Sequence, residues 1–498
     1  MDAMGMLQVG RNHRRCFADN SKLYIGSLSD SNRLASTLWA SKPNSSKLST
    51  IPPTSISADR RHPNPSGIFS FNPRFFVSDT CSVFETTIRY LGGLLSAYEL
   101  SGKKHPELLA KATEVADKMA YAWVGENPIP FGFIDFATNT PEQRSSNIAE
   151  AGTLSLEGYI LSQHSGNATY GDKAVKALAH IANLPAPLPG LAAQGIDPKT
   201  GNFVGGYVSW GGGSDSYFEY LLKYARLSNT KDNIYMDTWK TAVDSSIKHL
   251  LRKSTVGNHV YLGDYDDAGR VRHISSHLAC FHAGNWMLGG KLLKNQTIID
   301  IALDLNEACW NTYSSTQTGI GPEAFAFESS EGNFTGRSPP TAAQAAFYKE
   351  HGFYITDAFY ILRPEVLESN FHAWRITGKS KYLDRAGDAI DSFMKYLPST
   401  VGYASLNDVN DASRGQMDDT QSFWFAEVLK YLWLTFDDPK TISLDDYVFN
   451  TECQPFRAPA SLPSYDSGSF IPSKPFKIQT GDLPEVSPFM KKIVAQKQ

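Results

Sequence analysis

Apolar residues recur at helical spacing in long blocks along the chain, and short polar turns separate the blocks. Over residues 82–98, Phe84, Ile88, Leu91 and Leu95 share one face, while Glu85 and Arg89 stand four apart on another. The spacing predicts a helix from 83 to 100, a turn at 101–105 and a return helix from Pro106 to about Trp123, with Pro106 placed to start it. A second pair is predicted from Asn147 to Gln163, turning at 164–167 and returning through 173–178. A third runs from Phe371 to Ile376, turns at 377–380 and returns from Tyr382 to Tyr396. All three turns combine Ser or Thr, Gly and further polar residues, so the chain repeats a helical hairpin. Residues 1–80 differ: they are rich in Ser, Asn, Pro and Arg, lack periodicity, and are expected to be irregular.

The repeat has a period, with Glu85, Glu150 and Asp215 each about 65 residues apart, the size of two helices and their connections. Helical solenoids use units of roughly 34 to 47 residues, so a closed toroid of longer hairpins is the better fit. Two Gly- and Pro-rich connections, 184–190 and 205–213, are expected to line one mouth of that toroid. Four acidic clusters begin helices, around Glu85, Glu150, Asp215 with Glu219, and Glu365 with Glu368. A single acid in a first helical turn is explained by the helix dipole alone. Four that follow loops and converge on one mouth suit glycoside hydrolysis, which needs one protonated and one ionised carboxyl group. Arg89 and Arg363 would hold some of them ionised while neighbouring acids keep others protonated.

Composition narrows the choice. Against 51 acidic residues stand 47 basic ones, so no nucleic-acid partner is implied. Aromatic residues are 12% of the chain, which suits sugar stacking and large cores equally. The five cysteines lack metal-ligand spacing, and a single bridge beside free thiols is open to them. Sequons at Asn44, Asn167, Asn295 and Asn333 are compatible with a secretory route. No apolar run reaches the roughly 20 residues that span a bilayer, and the first 30 residues show no signal-peptide core.

Four strings carry a resemblance: 83–98 (VFETTIRYLGGLLSAY), 215–223 (DSYFEYLLK), 362–369 (LRPEVLES) and 447–452 (YVFNTE). Together they closely resemble the class I α-mannosidases, glycoside hydrolase family 47, over about residues 81–457. Gly321-Pro322-Glu323 and the Gly-rich run before Asp215 look most like its fungal secreted and Golgi-type members. The resemblance implies an all-α (αα)7 barrel, here lacking its first helical hairpin, over 81–457, with a C-terminal extension at 458–498. It implies a monomer that removes α-1,2-linked mannose from high-mannose N-glycans with inversion, in the Golgi, the endoplasmic reticulum or outside the cell, using Ca2+. A second reading, prompted by the missing hairpin, is a mannose-binding lectin of glycoprotein quality control with little or no turnover.

Carried over by position, Glu85 matches the general acid, and Glu365 and Asp215 match the candidates for the base. Arg89, Glu150, Arg363 and Glu368 match sugar-binding or supporting residues, Phe423 the aromatic that stacks on the sugar, and Glu427 an acid near the metal. Thr451 matches the residue giving hydroxyl and carbonyl oxygens to calcium, which suits that hard cation. Cys280 and Cys309 match the family's disulfide. Departures from the family pattern are Gln421 for an acid, Ser276 for an Asp, Cys453-Gln454 for Ala-His, and Gly213 where the endoplasmic reticulum subgroup has Arg.

Overall fold

A computed structural model describes residues 80–482. The region expected to be irregular, save Thr80, and the last part of the C-terminal extension lie outside these residues.

The helical blocks fold where the periodicity predicts, except that the 147–163 block is broken at Thr153–Leu154 into Ile148–Gly152 and Ser155–Ser165, and local chemistry sets their ends. Ser82 caps the first helix by accepting the Glu85 amide, and Pro106 opens the second. The Gly of each later polar turn is a left-handed helix terminator: Gly166 at φ 74° and Gly378 at φ 66°. Six inner helices follow one another around the ring. They begin at Val83, Ile148, Asp215, Phe281, Glu365 and Trp424, each packed on the next. Five outer helices, Pro106–Met119, Thr169–Asn183, Ile234–His249, Gln296–Ser314 and Lys381–Tyr396, return antiparallel to the first five. This is the helical-pair barrel, and the described residues supply six inner and five outer helices of it. A hairpin, Tyr447–Phe449 with Pro455–Arg457, enters from the far end and packs on the Glu85 and Asp215 helices.

Inner and outer helices differ as their sequences require. Lys381–Tyr396 buries only Tyr382, Ala386, Ala389 and Phe393, one stripe at helical spacing. The Asp215 helix is buried continuously from Ser216 to Leu227. Trp210 stacks on Phe218 at 4.5 Å and meets Trp286 edge-on at 5.5 Å, and each such buried aromatic contributes on the order of 2 kcal/mol. Cys280 and Cys309 form a disulfide joining the start of the fourth inner helix to its outer partner.

At the mouth, short extended segments pin the inner helices. Thr80–Ser82 pairs with Phe133–Asp135 before the Glu85 helix, and Ser146–Asn147 pairs with Gly195–Ile196 before the Glu150 helix. Ile274–Ser276 pairs with Ala324–Ala326 before the fourth. The Gly-rich connection 205–213 leads straight into Asp215. The Pro-rich stretch does not line the mouth as expected. Gly190 (φ 70°) presses on the backbone of Thr238–Ala242, where a Cβ would stand 2.6 Å from the Ala242 amide nitrogen. An extended, donor-poor segment finds its place against a helix flank more readily than over an open cleft.

Residues 458–482 lie along the outside as a strap. Lys240 pairs with Asp466 at 2.7 Å, the Ser467 amide donates to Asp237, and the Gly205 amide donates to the Gln479 carbonyl at 3.0 Å.

Candidate active site

The mouth acids stand where the chain enters each inner helix. Glu85 lies in the first turn of its helix, Glu150 in the first turn after Asn147, and Asp215 and Glu365 are themselves first residues. Two of the inner helices, the first and the sixth, contain a π-helical turn, Thr86–Leu91 and Trp424–Val428. Such turns widen the helix locally and cluster at functional sites. One carries Arg89 and the other Glu427.

Arg89 is the hub of one side. Its Nε lies 2.7 Å from Glu85 and 2.8 Å from Glu452, as ion pairs, and its Nη1 donates to Ser422 at 3.1 Å. The Glu85 side chain keeps 32% exposure, so this acid faces the opening. Across the site Arg363 makes a bidentate pair with Glu323 at 2.6 and 2.7 Å. Phe423 lies between the two guanidinium groups, 5.7 Å from Arg89 and 5.9 Å from Arg363.

Glu365 accepts from His277 Nδ1 at 2.7 Å, and His277 Nε2 shares a hydrogen bond of 2.8 Å with the Tyr313 hydroxyl. Burial alone would raise the Glu365 pKa, but the His277 hydrogen bond and Arg363 outweigh it and hold the carboxyl below its ordinary range. Asp215 goes the other way, pushed up to about 7 by burial and by Glu219 and Glu365. Burial also raises Glu150 to about 7, against the hydrogen bonds it receives from Asn147 and Ser146. The mouth therefore holds carboxyl groups in both protonation states near neutrality.

Deeper in the barrel lies a second tier. Glu219 pairs with buried Lys223, and Glu368 is pushed up to about 8 by burial and by Glu219. Burial, then Glu452, Glu365 and Glu368, drive Glu427 well above its ordinary range. Asn450 ties this tier together. Its Nδ2 donates to the Ile88 carbonyl at 2.9 Å and to Glu157 at 2.7 Å, and its Oδ1 accepts the amides of Glu452 and Gln454. Thr451, beside it, donates its amide to the Tyr220 hydroxyl. Among the described residues no three His, Cys, Asp or Glu side chains are arranged to ligate a metal directly.

The nine acids, arginines and phenylalanine singled out from the sequence thus stand on neighbouring inner helices and their entry segments, with Thr451 on the turn of the 447–457 hairpin. Sequence reasoning assigned no role to His277, Glu323, Glu452 and Asn450, which acquire theirs through partners tens to hundreds of residues away. It also missed two left-handed residues that turn the backbone at the site: Leu362 (φ 66°), just before Arg363, and Cys453 (φ 56°), just after Glu452.

The sequence pattern described as glycosyl hydrolase family 47 matches residues 70–458. A mannosyl-oligosaccharide alpha-1,2-mannosidase 1B from Aspergillus phoenicis is 36% identical over 400 residues, covering 76% of this chain and 76% of that protein. A mannosyl-oligosaccharide alpha-1,2-mannosidase from Coccidioides posadasii is 38% identical over 400 residues, covering 76% and 75%. Among solved structures, an alpha-1,2-mannosidase from Trichoderma reesei superposes with a TM-score of 0.73 at 37% identity, covering 76% of this chain and 82% of that one.

Proposed function

Because the chain belongs to glycosyl hydrolase family 47, we propose that it is a mannosyl-oligosaccharide 1,2-alpha-mannosidase that trims α-1,2-linked mannose from high-mannose N-glycans. The observation that carries the chemistry is the unequal treatment of the mouth acids: Glu365 is bound by His277 beside Arg363, while Glu85 faces the opening on Arg89. Glu85 gives its proton to the glycosidic oxygen as the bond from that oxygen to C1 breaks. Glu365, held ionised, takes a proton from a water whose oxygen bonds to C1 from the opposite face, so the anomeric centre inverts. Asp215, pushed up to about 7, suits a supporting acid better than the base. Phe423 offers its ring to the sugar, and Arg89, Arg363 and Glu150 offer hydrogen bonds to its hydroxyls. The lectin reading has no support in a pocket that retains all of these groups.

Family 47 enzymes are metal-dependent, and the residues present fit a hard cation such as Ca2+. Glu219, Glu368, Glu427 and Glu452 crowd a buried floor whose cations are Lys223, Lys430 and Arg89, and Glu427 is driven up by its acidic neighbours. Thr451 would hold the ion through its hydroxyl and carbonyl oxygens. When bound, the ion supplies positive charge and a Lewis-acidic contact for sugar hydroxyls. The N-glycan substrate and the Cys280–Cys309 disulfide support a place in the secretory pathway.

The test is to incubate the purified chain with an α-1,2-linked mannobiose and with a high-mannose glycan, in calcium and in chelator, following the product by NMR. Calcium-dependent appearance of β-mannose is expected. No release would overturn the hydrolase reading, and α-mannose appearing first would overturn inversion.

A further inference from the structure

The Gly211–Gly213 run before Asp215 is a junction where all three carbonyl groups are used. The Gly211 carbonyl accepts the amides of Ser214 and Asp215 at 3.1 and 3.0 Å, Gly212 accepts from Gln194 at 2.9 Å, and Gly213 accepts the Ala149 amide at 3.1 Å. The same three residues thereby set the backbone of Asp215 and of the residue before Glu150.

What holds this run lies outside the pocket. The Gly211 amide donates to the Ser209 hydroxyl at 2.8 Å, and that hydroxyl donates to Asp264 Oδ1 at 2.7 Å. Space is tight: a Cβ on Gly211 would stand 3.2 Å from Ser209 Oγ and 3.3 Å from Ser276 Oγ. Asp264 begins a hairpin, Asp264–Tyr265 with Val271–Arg272, whose Tyr265 exchanges two backbone bonds of 2.9 Å with Val208. Tyr207 donates to the other Asp264 oxygen at 2.5 Å but has no bond to the glycine run.

We propose that Asp264 is a positioning residue for Asp215 and Glu150, acting through the Ser209 hydroxyl on the Gly211–Gly213 backbone. The inference rests on the reading of Asp215 and Glu150 as parts of the mannosidase site. The carboxylate fixes the Ser209 rotamer, the hydroxyl fixes the Gly211 peptide, and that peptide fixes the height at which the Asp215 helix begins. A shift of about 1 Å at such a point costs up to a hundredfold in turnover. The Val208–Tyr265 backbone pair remains in any side-chain variant, so the hairpin stays attached.

The experiment compares Ser209→Ala, Asp264→Ala, Ser209→Thr and Tyr207→Phe in the full chain with calcium. Two readouts are used: steady-state release from α-1,2-mannobiose, and hydrogen exchange of a peptide spanning 211–217. Ser209→Ala and Asp264→Ala are expected to lower kcat by about tenfold with KM changed by less than about twofold, and to speed exchange in that peptide. Ser209→Thr, which keeps the hydroxyl, is expected to restore both, and Tyr207→Phe to leave both within about twofold of the parent chain. Tyr207→Phe matching Ser209→Ala, or a rise in KM at unchanged kcat, overturns the relay. If the unmodified chain releases no mannose, the mannosidase reading fails, and the exchange rates alone still decide whether Asp264 and Ser209 set the Asp215 backbone.

Discussion

Along the inner helices the carboxylates stand in two tiers. Glu85, Glu150, Asp215 and Glu365 occupy first turns at the mouth, while Glu157, Glu219, Glu368 and Glu427 lie deeper on the same or neighbouring helices, joined by Glu452 from the floor hairpin. Each mouth acid has a close partner: Arg89, shared with Glu452, for Glu85, His277 for Glu365, Ser146 for Glu150 and the Ser216 amide for Asp215. The deep acids are raised first by burial and then by one another, Glu427 by Glu452, Glu365 and Glu368 and Glu368 by Glu219, with Lys223 on Glu219 and Arg89 shared by Glu452 among their few cations. Separate partners allow separate protonation states, which acid–base chemistry requires. Mutual repulsion in a buried site calls for a cation, which metal binding supplies. On the proposed function, the tiers divide chemistry from ion binding.

The largest effect should come from Glu85→Gln, which preserves shape and removes the proton donor. A loss of about a thousandfold in kcat is expected, equivalent to about 4 kcal/mol, with glycan affinity and thermal midpoint nearly unchanged. Steady-state kinetics and calorimetric binding check both parts. Unchanged mannose release would remove Glu85 from the role.

A deep-tier change should do the opposite and strike the fold. Asn450→Ala strands the Ile88 carbonyl and the Glu452 and Gln454 amides, and takes one of the two donors from Glu157 Oε1, all in buried surroundings. Even with partial relaxation, a loss of roughly 3 kcal/mol is expected in denaturant titration. A loss below about 1 kcal/mol would mean that the floor is wetter than the packing implies.

Raised carboxyl groups occur in both tiers and give stability a pH dependence. Glu150 and Asp215 both rise to about 7 when folded, from unfolded values near those of free carboxyl groups. The folded chain therefore holds more protons over that window, and its stability falls as pH rises from about 4 to 7. Glu365, held below its ordinary range, acts in the opposite sense, and only at lower pH. Without metal, the thermal midpoint should be higher at pH 5 than at pH 8, and Glu150→Gln, neutral throughout, should flatten that fall. A midpoint that rises over the same interval would show that the buried carboxyl groups are not held protonated in the folded chain, and an unflattened fall in Glu150→Gln would remove Glu150 from the cause.

Much of this was legible in the sequence, for a physical reason. Helix periodicity, Pro106 at a start, Gly166 and Gly378 at ends, and acids in first turns are local signals, read within four residues of their cause. The Glu85–Arg89 pair was readable as an i to i+4 contact, but its third member, Glu452, arrives from the other end of the fold. His277 and Glu365 are 88 apart in sequence, and nothing local marks either as the other's partner. The π-helical turns and the left-handed Leu362 are likewise imposed by packing on residues whose own preferences point elsewhere.

The smallest predicted effect isolates the comparison in a single residue type. Asn147 is the mouth-tier counterpart of Asn450: its Oδ1 accepts the Glu150 amide at 2.9 Å as a helix N-cap. Removing it in Asn147→Ala leaves one amide unpaired at the end of a short helix, at a typical cost of about 1 kcal/mol. The side chain also hydrogen-bonds in the sense that lowers the Glu150 pKa, so its loss should push that carboxyl further up. The variant should therefore lose stability slightly more at pH 8 than at pH 5, where Glu150 is already protonated. Denaturant titration at the two pH values measures the difference directly. An equal loss at both would reduce Asn147 to a cap, and a loss matching that of Asn450→Ala would abolish the distinction between a mouth built from separate pairs and a floor built as one network.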